Sequence, residues 1–247
     1  MKLICVPGKN GLGMTEGVEN SYKEVLKGFE YELLKINLED IESGLNEIYS
    51  KSFSYLSREK CLFFGGDHSI SFPLVKAFFD INKFNSKLLV FDAHPDLMEP
   101  MQEPTHEEWL RGILNEGFRK ENVLIVGVRR NSENVDKKEI SFAKKNKIKI
   151  IYSDEFEERK LEILDFVSSG KVYLSLDIDV FDSSIISSTG YPEKEGLSEE
   201  QVFSVLSKIR DKIVSCDLVE VNLEKGKKKE NLKAISVSRK LLKTFQN

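Results

Sequence analysis

Short apolar runs recur along the chain at residues 3–6, 31–36, 61–66, 88–91, 123–128, 148–152, 172–176 and 213–221, and each reads as a strand. Between them lie stretches whose apolar residues fall at helical spacing. Ile41, Leu45, Ile48 and Leu56 mark a helix over 41–56, and Trp109, Leu110 and Ile113 mark one over 106–117. Further helices are expected over 15–28, 69–79, 134–147, 154–167 and 231–245. The helix over 69–79 carries Pro73 in its first turn, where a proline is tolerated. Ser198 and Gln201 have the spacing of a capping box, which opens a helix running to Lys212. Such alternation predicts an α/β fold in three layers, α/β/α, around a largely parallel central sheet.

Three of the apolar runs end in ligand-type residues. Leu88, Leu89, Val90 and Phe91 form the continuous apolar run of a strand covered on both faces, and Asp92, His94 and Asp96 follow at alternate positions. The run at 61–66 ends in Asp67 and His68, and the run at 172–176 passes into Asp177, Asp179 and Asp182. Glu220 sits at the end of the last run. Ligands of parallel sheets collect beyond the carboxyl ends of the strands, a rule that brings these residues to one edge. Taken alone, D-x-H-x-D reads equally as a strand end followed by an Asp/Pro turn. Two of the chain's three histidines, His68 and His94, stand at strand ends, and the third, His106, is a short loop away. Carboxylates and imidazoles converging on one point stay hydrated and repel unless a cation sits between them, so this gathering favours a metal site.

Composition narrows the class. Of the 247 residues 40% are hydrophobic and 32% charged, with a net charge of −4 and both signs interspersed, which suits a globular protein and excludes a basic nucleic-acid footprint. No linker-like stretch divides the chain, so a single domain over 1–247 is expected. The short basic run 225–229 reads as a solvated loop. Cys5, Cys61 and Cys216 lie inside apolar runs and leave an odd count, which fits reduced core thiols of a cytoplasmic protein. Neither a signal-peptide pattern nor an apolar stretch long enough to span a bilayer is present in the sequence. Gly11 and Gly13 in the loop 7–13 lack the further glycine and lysine of the phosphate-loop fingerprints.

The motifs G-G-D-H-S at Gly65–Ser69, D-A-H-P-D at Asp92–Asp96 and S-L-D-I-D-V-F-D at Ser175–Asp182, in this order, resemble those of the ureohydrolases, the arginase and agmatinase family. The similarity continues through T-G-Y-P-E at Thr189–Glu193, G-L-S at Gly196–Ser198 and L-V-E-V-N at Leu218–Asn222. The resemblance implies an arginase-like fold and a site with two Mn²⁺ per chain that hydrolyses a C–N bond, commonly of a guanidinium, to release urea. One ion would be held by His68, Asp92, Asp96 and Asp177, the other by Asp92, His94, Asp177 and Asp179, with Asp92 and Asp177 bridging. Independently, two imidazoles and four carboxylates without a thiolate form a hard donor set that suits Mn²⁺ better than structural zinc. By resemblance, Asp96 would relay the proton of the attacking water, His106 would shuttle protons to solvent, and Glu220 would pair with a small cationic guanidino substrate. The family also implies a homo-oligomer, although no interface is recognisable in the sequence.

Other residues have plainer readings. Asp67 is expected to support His68 or cap the helix that follows, and Asp182 to stabilise its own loop. Arg129 suits a substrate carboxylate and a structural ion pair equally well. The chain also departs from the family: Ser183 and Leu223 stand where prolines are common, and Ile186, Ser187 and Ser188 replace a small Pro/Gly-containing segment. These changes fall on loops and leave substrate identity open. Residues 97–105 lack the Asn and Ser-Gly-Asn elements by which arginases hold an amino acid, and offer Glu99 and Glu103 instead. Two carboxylates at the entrance would favour agmatine or a similar amine over arginine. A formimidoylglutamase-type or arginase-type hydrolase remains an alternative, as does a non-catalytic metal-binding relative.

Overall fold

The computed structural model describes residues 1–11, 13–37 and 39–246. Part of the expected loop 7–13 therefore lies outside the described residues. Eight strands form one sheet: β1 (Lys2–Cys5), β2 (Glu32–Leu33), β3 (Cys61–Phe64), β4 (Ser86–Phe91), β5 (Val123–Val128), β6 (Lys149–Tyr152), β7 (Lys171–Asp177) and β8 (Ile213–Val219). Their order is β2-β1-β3-β8-β7-β4-β5-β6, and every pairing is parallel. The chain joins them through α1 (Tyr22–Val25), α2 (Ile41–Leu56), α3 (Ser71–Asn82), α4 (Trp109–Asn115), α5 (Lys137–Lys145), α6 (Phe156–Phe166), α7 (Glu199–Ile209) and α8 (Lys228–Gln246).

Side chains of a strand alternate between faces, and each face here builds its own core. On one side Leu62, Phe64, Leu89, Phe91 and Leu174 pack with residues of α1, α6, α7 and α8, among them Val25, Phe156, Leu206 and Leu241. On the other, Phe63, Leu88, Val90 and Tyr173 meet α2, α3, α4 and α5 through Ile48, Leu74, Phe78, Trp109 and Ala143. The expected three-layer α/β/α arrangement is observed. The capping box at Ser198 and Gln201 is formed, and Pro73 is the third residue of α3.

Several elements differ from their sequence patterns. The helix expected over 15–28 is two 3₁₀ turns and the single-turn α1, because Gly17 takes φ 96° and the side chain of Asn222 binds the carbonyls of Met14 and Glu16. Tertiary hydrogen bonds replace helical ones there. The strand expected over 31–36 shrinks to Glu32–Leu33 at the sheet edge. The helix expected from His106 begins at Trp109, since Glu108 bends back to accept from the Thr105 amide.

Strands β3, β8, β7 and β4 are consecutive in the sheet, and these are the strands whose ends carry the candidate ligands. Phe91 is level with Leu176, Asp177 with Val219, and Leu218 with Phe64. The polar residues that follow each strand therefore emerge at one height along one edge.

Candidate metal centre

β3 is followed by Gly65 and Gly66, both with positive φ. A Cβ on Gly66 would stand 2.2 Å from the carbonyl oxygen of Gly8, so only glycine lets the chain turn there towards Asp67 and His68. Asp67 caps the turn that follows by accepting from Ser69 N at 3.1 Å, and also receives Asn10 N at 2.9 Å, as its structural reading expects. His68 projects to the centre of the edge. Its Nδ1 lies 2.9 Å from Asp92 Oδ2, 3.1 Å from Asp96 Oδ2 and 3.2 Å from Asp177 Oδ2, yet makes no hydrogen bond. An atom within reach of three oxygens and aligned with none of them shares a focus with them. Its other nitrogen, Nε2, contacts Ser175 Oγ at 2.9 Å, and Ser175 donates to Asp217 at 2.7 Å.

A second cluster adjoins the first. His94 Nδ1 lies 3.0 Å from Asp179 Oδ2 and 3.6 Å from Asp92 Oδ1, so Asp92 belongs to both groups. His94 Nε2 faces Glu193 at 3.5 Å, and Glu193 is fixed in turn by Ser132 at 2.8 Å. Asp177 Oδ1 accepts from the amide of Asp179 at 2.8 Å, which ties the last strand residue to the candidate ligand two positions on.

Asp92, Asp96, Asp177 and Asp179 are buried, and among the described residues no lysine or arginine forms an ion pair with them. Burial, reinforced by the charge of Asp92, pushes the Asp96 carboxyl up to about 8. Burial and the charges of Asp179 and Asp92 likewise push Asp177 well up. Charge of one sign concentrated away from water requires a counter-charge. With oxygen and imidazole donors only, and with His68 Nδ1 and Asp92 Oδ2 buried without a partner, the residues fit divalent cations.

Around the clusters is a cavity of about 180 Å³ lined by His94, Asp96, Met98, His106, Glu107, Asn134, Asp136, Glu139 and Tyr191. His106 stacks on Tyr191, with ring centroids 5.6 Å apart; its Nε2 lies 3.7 Å from Glu107 Oε1, and among the described residues neither nitrogen has a hydrogen-bond partner. Burial lowers its pKa below the ordinary imidazole value. Glu220 does not line this cavity; its Oε1 accepts from His68 N at 2.9 Å, and its buried Oε2 has no hydrogen-bond partner among the described residues. Asp96 and Glu220 both hold positive φ, 51° and 62°, a conformation costly for non-glycine residues and often found at functional sites.

Some expectations need correction. Glu99 does not guard the cavity: it is exposed and paired with Arg111. Glu103, by contrast, lines an open groove with Glu39, Asp40, Glu42 and Glu108 that shares His106 and Glu107 with the cavity. Besides Asp96, the acidic residues that line the cavity are Glu107, Asp136 and Glu139. Arg129 fits neither of its readings, because its guanidinium donates to the carbonyls of Gly127, Asp179, Val180, Phe181 and Lys194 and to no carboxylate. Asp182 holds its own loop through the amides of Ser184 and Gly196, as expected.

Fold and site together define a parallel three-layer α/β protein with two Asp/His clusters, joined by a shared carboxylate, at the carboxyl edge of its sheet. The chain belongs to the arginase family, whose model matches residues 12–242. It is 31% identical over 195 residues to an agmatinase of Pyrococcus horikoshii, covering 76% of this chain and 64% of that protein. With an N(1)-aminopropylagmatine ureohydrolase of Thermus thermophilus it shares 34% identity over 166 residues, or 64% of this chain and 53% of the relative. The chain thus spans less than two thirds of the length of either. The fold is shared with formimidoylglutamase from Bacillus subtilis, at a TM-score of 0.87 and 21% identity over 99% of this chain and 85% of that one.

Proposed function

We propose that the chain is a binuclear manganese hydrolase that cleaves a C–N bond of a guanidino compound and releases urea, with an agmatine-like amine preferred. The observation that carries this reading is the pair of Asp/His clusters sharing Asp92, buried except for the half-buried His94. In this reading His68, Asp92, Asp96 and Asp177 hold one ion, and Asp92, His94, Asp177 and Asp179 the other. When bound, such a pair of ions lowers the pKa of a water towards neutrality, which an electrophile as poor as a guanidinium requires.

Hydrolysis places the water oxygen on the guanidinium carbon, breaks the bond to the amine nitrogen and delivers one proton to that nitrogen. Asp96, at the boundary of the clusters and the cavity, takes the proton from water and passes it to the leaving amine. His106, kept neutral by burial, carries protons between the cavity and solvent. Glu220 lies outside the cavity lining, with one oxygen fixed by the backbone of His68 and the other without a hydrogen-bond partner among the described residues; its pairing with the guanidinium rests on the family resemblance.

The cavity lining supports the choice of substrate. Glu107 and Asp136 contribute carboxyl groups and, among the described residues, no lysine or arginine lines the cavity, so a terminal ammonium is attracted and a carboxylate repelled. The test is urea and formamide release by Mn²⁺-loaded protein from agmatine, L-arginine and formiminoglutamate. A higher kcat/KM for agmatine is expected. An equal or higher value for arginine would overturn the preference, and activity confined to the formimino compound would overturn the guanidino assignment.

A further inference from the structure

Trp109, the only tryptophan of the chain, is the first residue of α4 and is fully buried. Its helical spacing explains burial against the sheet but not what its ring touches. The indole Nε1 donates to Asp96 Oδ2 at 2.7 Å, and the ring stacks on His68 with centroids 4.6 Å apart and planes 30° apart. The same Asp96 oxygen stands 3.1 Å from His68 Nδ1. One residue thus engages two members of the first cluster at once, one by a hydrogen bond and the other across its face. The amide of Arg111, in the same helical turn, donates to the Asp96 carbonyl at 3.2 Å, so α4 grips both the main chain and the side chain of a residue held at φ 51°.

We propose that Trp109 is a positioning residue of the metal centre, whose indole holds Asp96 and His68 in the arrangement that receives the first cation. The inference rests on the metal-site reading above. An indole N–H only donates and does not titrate in the physiological range, so it fixes Asp96 Oδ2 as an acceptor at every working pH. One lone pair of that oxygen is engaged and the other is left facing the cluster. The His68 ring is restrained on its face by the indole and at its Nε2 edge by Ser175, which leaves Nδ1 directed at the three carboxylates. Groups that orient ligands in this way commonly change metal affinity 10–100-fold when removed. A tryptophan serving only as core packing would leave metal affinity unchanged when replaced by another buried aromatic residue.

The test has two arms. In wild-type protein labelled with ¹⁵N at tryptophan, the single indole N–H signal is expected to exchange slowly with water and to shift when Zn²⁺, a diamagnetic probe, is bound. In Trp109→Phe, which keeps an aromatic ring and removes the donor, calorimetric titration with Mn²⁺ is expected to show the tighter binding step weakened by about 10–100-fold. An indole signal unmoved while calorimetry reports bound Zn²⁺, or a Trp109→Phe protein that binds Mn²⁺ like wild type, would overturn the proposal. Should the variant fail to fold, the wild-type arm decides by itself. Wild-type protein that binds neither cation would instead remove the metal-site reading, and this inference with it.

Discussion

His106 differs from the other two histidines in its surroundings. His68 and His94 approach carboxylate oxygens to 2.9 and 3.0 Å, whereas His106 stacks on Tyr191, its Nε2 3.7 Å from Glu107 Oε1, with neither nitrogen hydrogen-bonded among the described residues and its pKa lowered by burial. His106→Ala is therefore expected to retain its Mn²⁺ while kcat falls by roughly 10²-fold, the loss typical of a general acid/base group; metal analysis beside steady-state kinetics checks both halves. Glu139 is a second residue with a defined expectation. It closes the capping box of α5 at Asp136 N and accepts from Leu97 N at 2.8 Å, next to Asp96. Burial pushes its carboxyl from an ordinary 4.5 up to about 7. A pKa raised on folding stabilises the protein fully below the unfolded value, and that contribution is lost as pH rises through the folded one. A shift of that size corresponds to on the order of 3 kcal/mol. Thermal unfolding from pH 5 to 8 should show wild type losing stability that Glu139→Gln keeps; parallel curves would contradict the assignment. The role of His106 is implied in the sequence by the family resemblance, but that of Glu139 is not legible there: it looks like one more solvated position of a lysine-rich helix, and Asp217 and Glu193 carry no spacing that marks them as supports of His68 and His94.

At the scale of elements, strands were more legible than helices, for a physical reason. A strand buried on both faces must be apolar throughout, and Leu88–Phe91 or Val172–Leu176 admits few other readings. Helix limits depend on partners elsewhere in the chain: the amide of Asn222 dissolves the helical pattern after Thr15, and the Glu108 carboxylate delays α4. Local caps were legible, as Ser198 and Gln201 show. Arg129 illustrates what a pattern hides, since G-V-R indicates a cation and nothing about its acceptors. Its guanidinium gathers the carbonyls of Asp179, Val180 and Phe181, the 3₁₀ turn that presents Asp179, and a Cβ on Gly196 would stand 2.2 Å from its Nη2. A lysine cannot match that fork, so Arg129→Lys should lower the unfolding free energy by about 2–4 kcal/mol as buried carbonyls lose donors. Urea denaturation reads this as a lower midpoint at constant slope, and an unchanged midpoint would contradict the clasp.

For the whole molecule, the sequence shows strands ending in ligands but not which strands are neighbours. The order β3-β8-β7-β4 arises because β7 and β8 return to the middle of the sheet after β4, β5 and β6 are placed, and no local pattern encodes that return. Three-layer architecture and the carboxyl-edge rule nevertheless suffice to group His68, Asp92, His94, Asp96, Asp177, Asp179 and Glu220 from the sequence. Placement of the cavity was not legible in the same way: Glu99 has the right charge and the wrong direction, and loop side chains obey no periodicity that would reveal it. The central claim is that Asp92 joins two cation sites rather than serving one. Metal analysis of wild-type protein loaded with Mn²⁺ and freed of excess tests it most directly. The account predicts about two Mn²⁺ per chain; a plateau at one ion, or none, would contradict it.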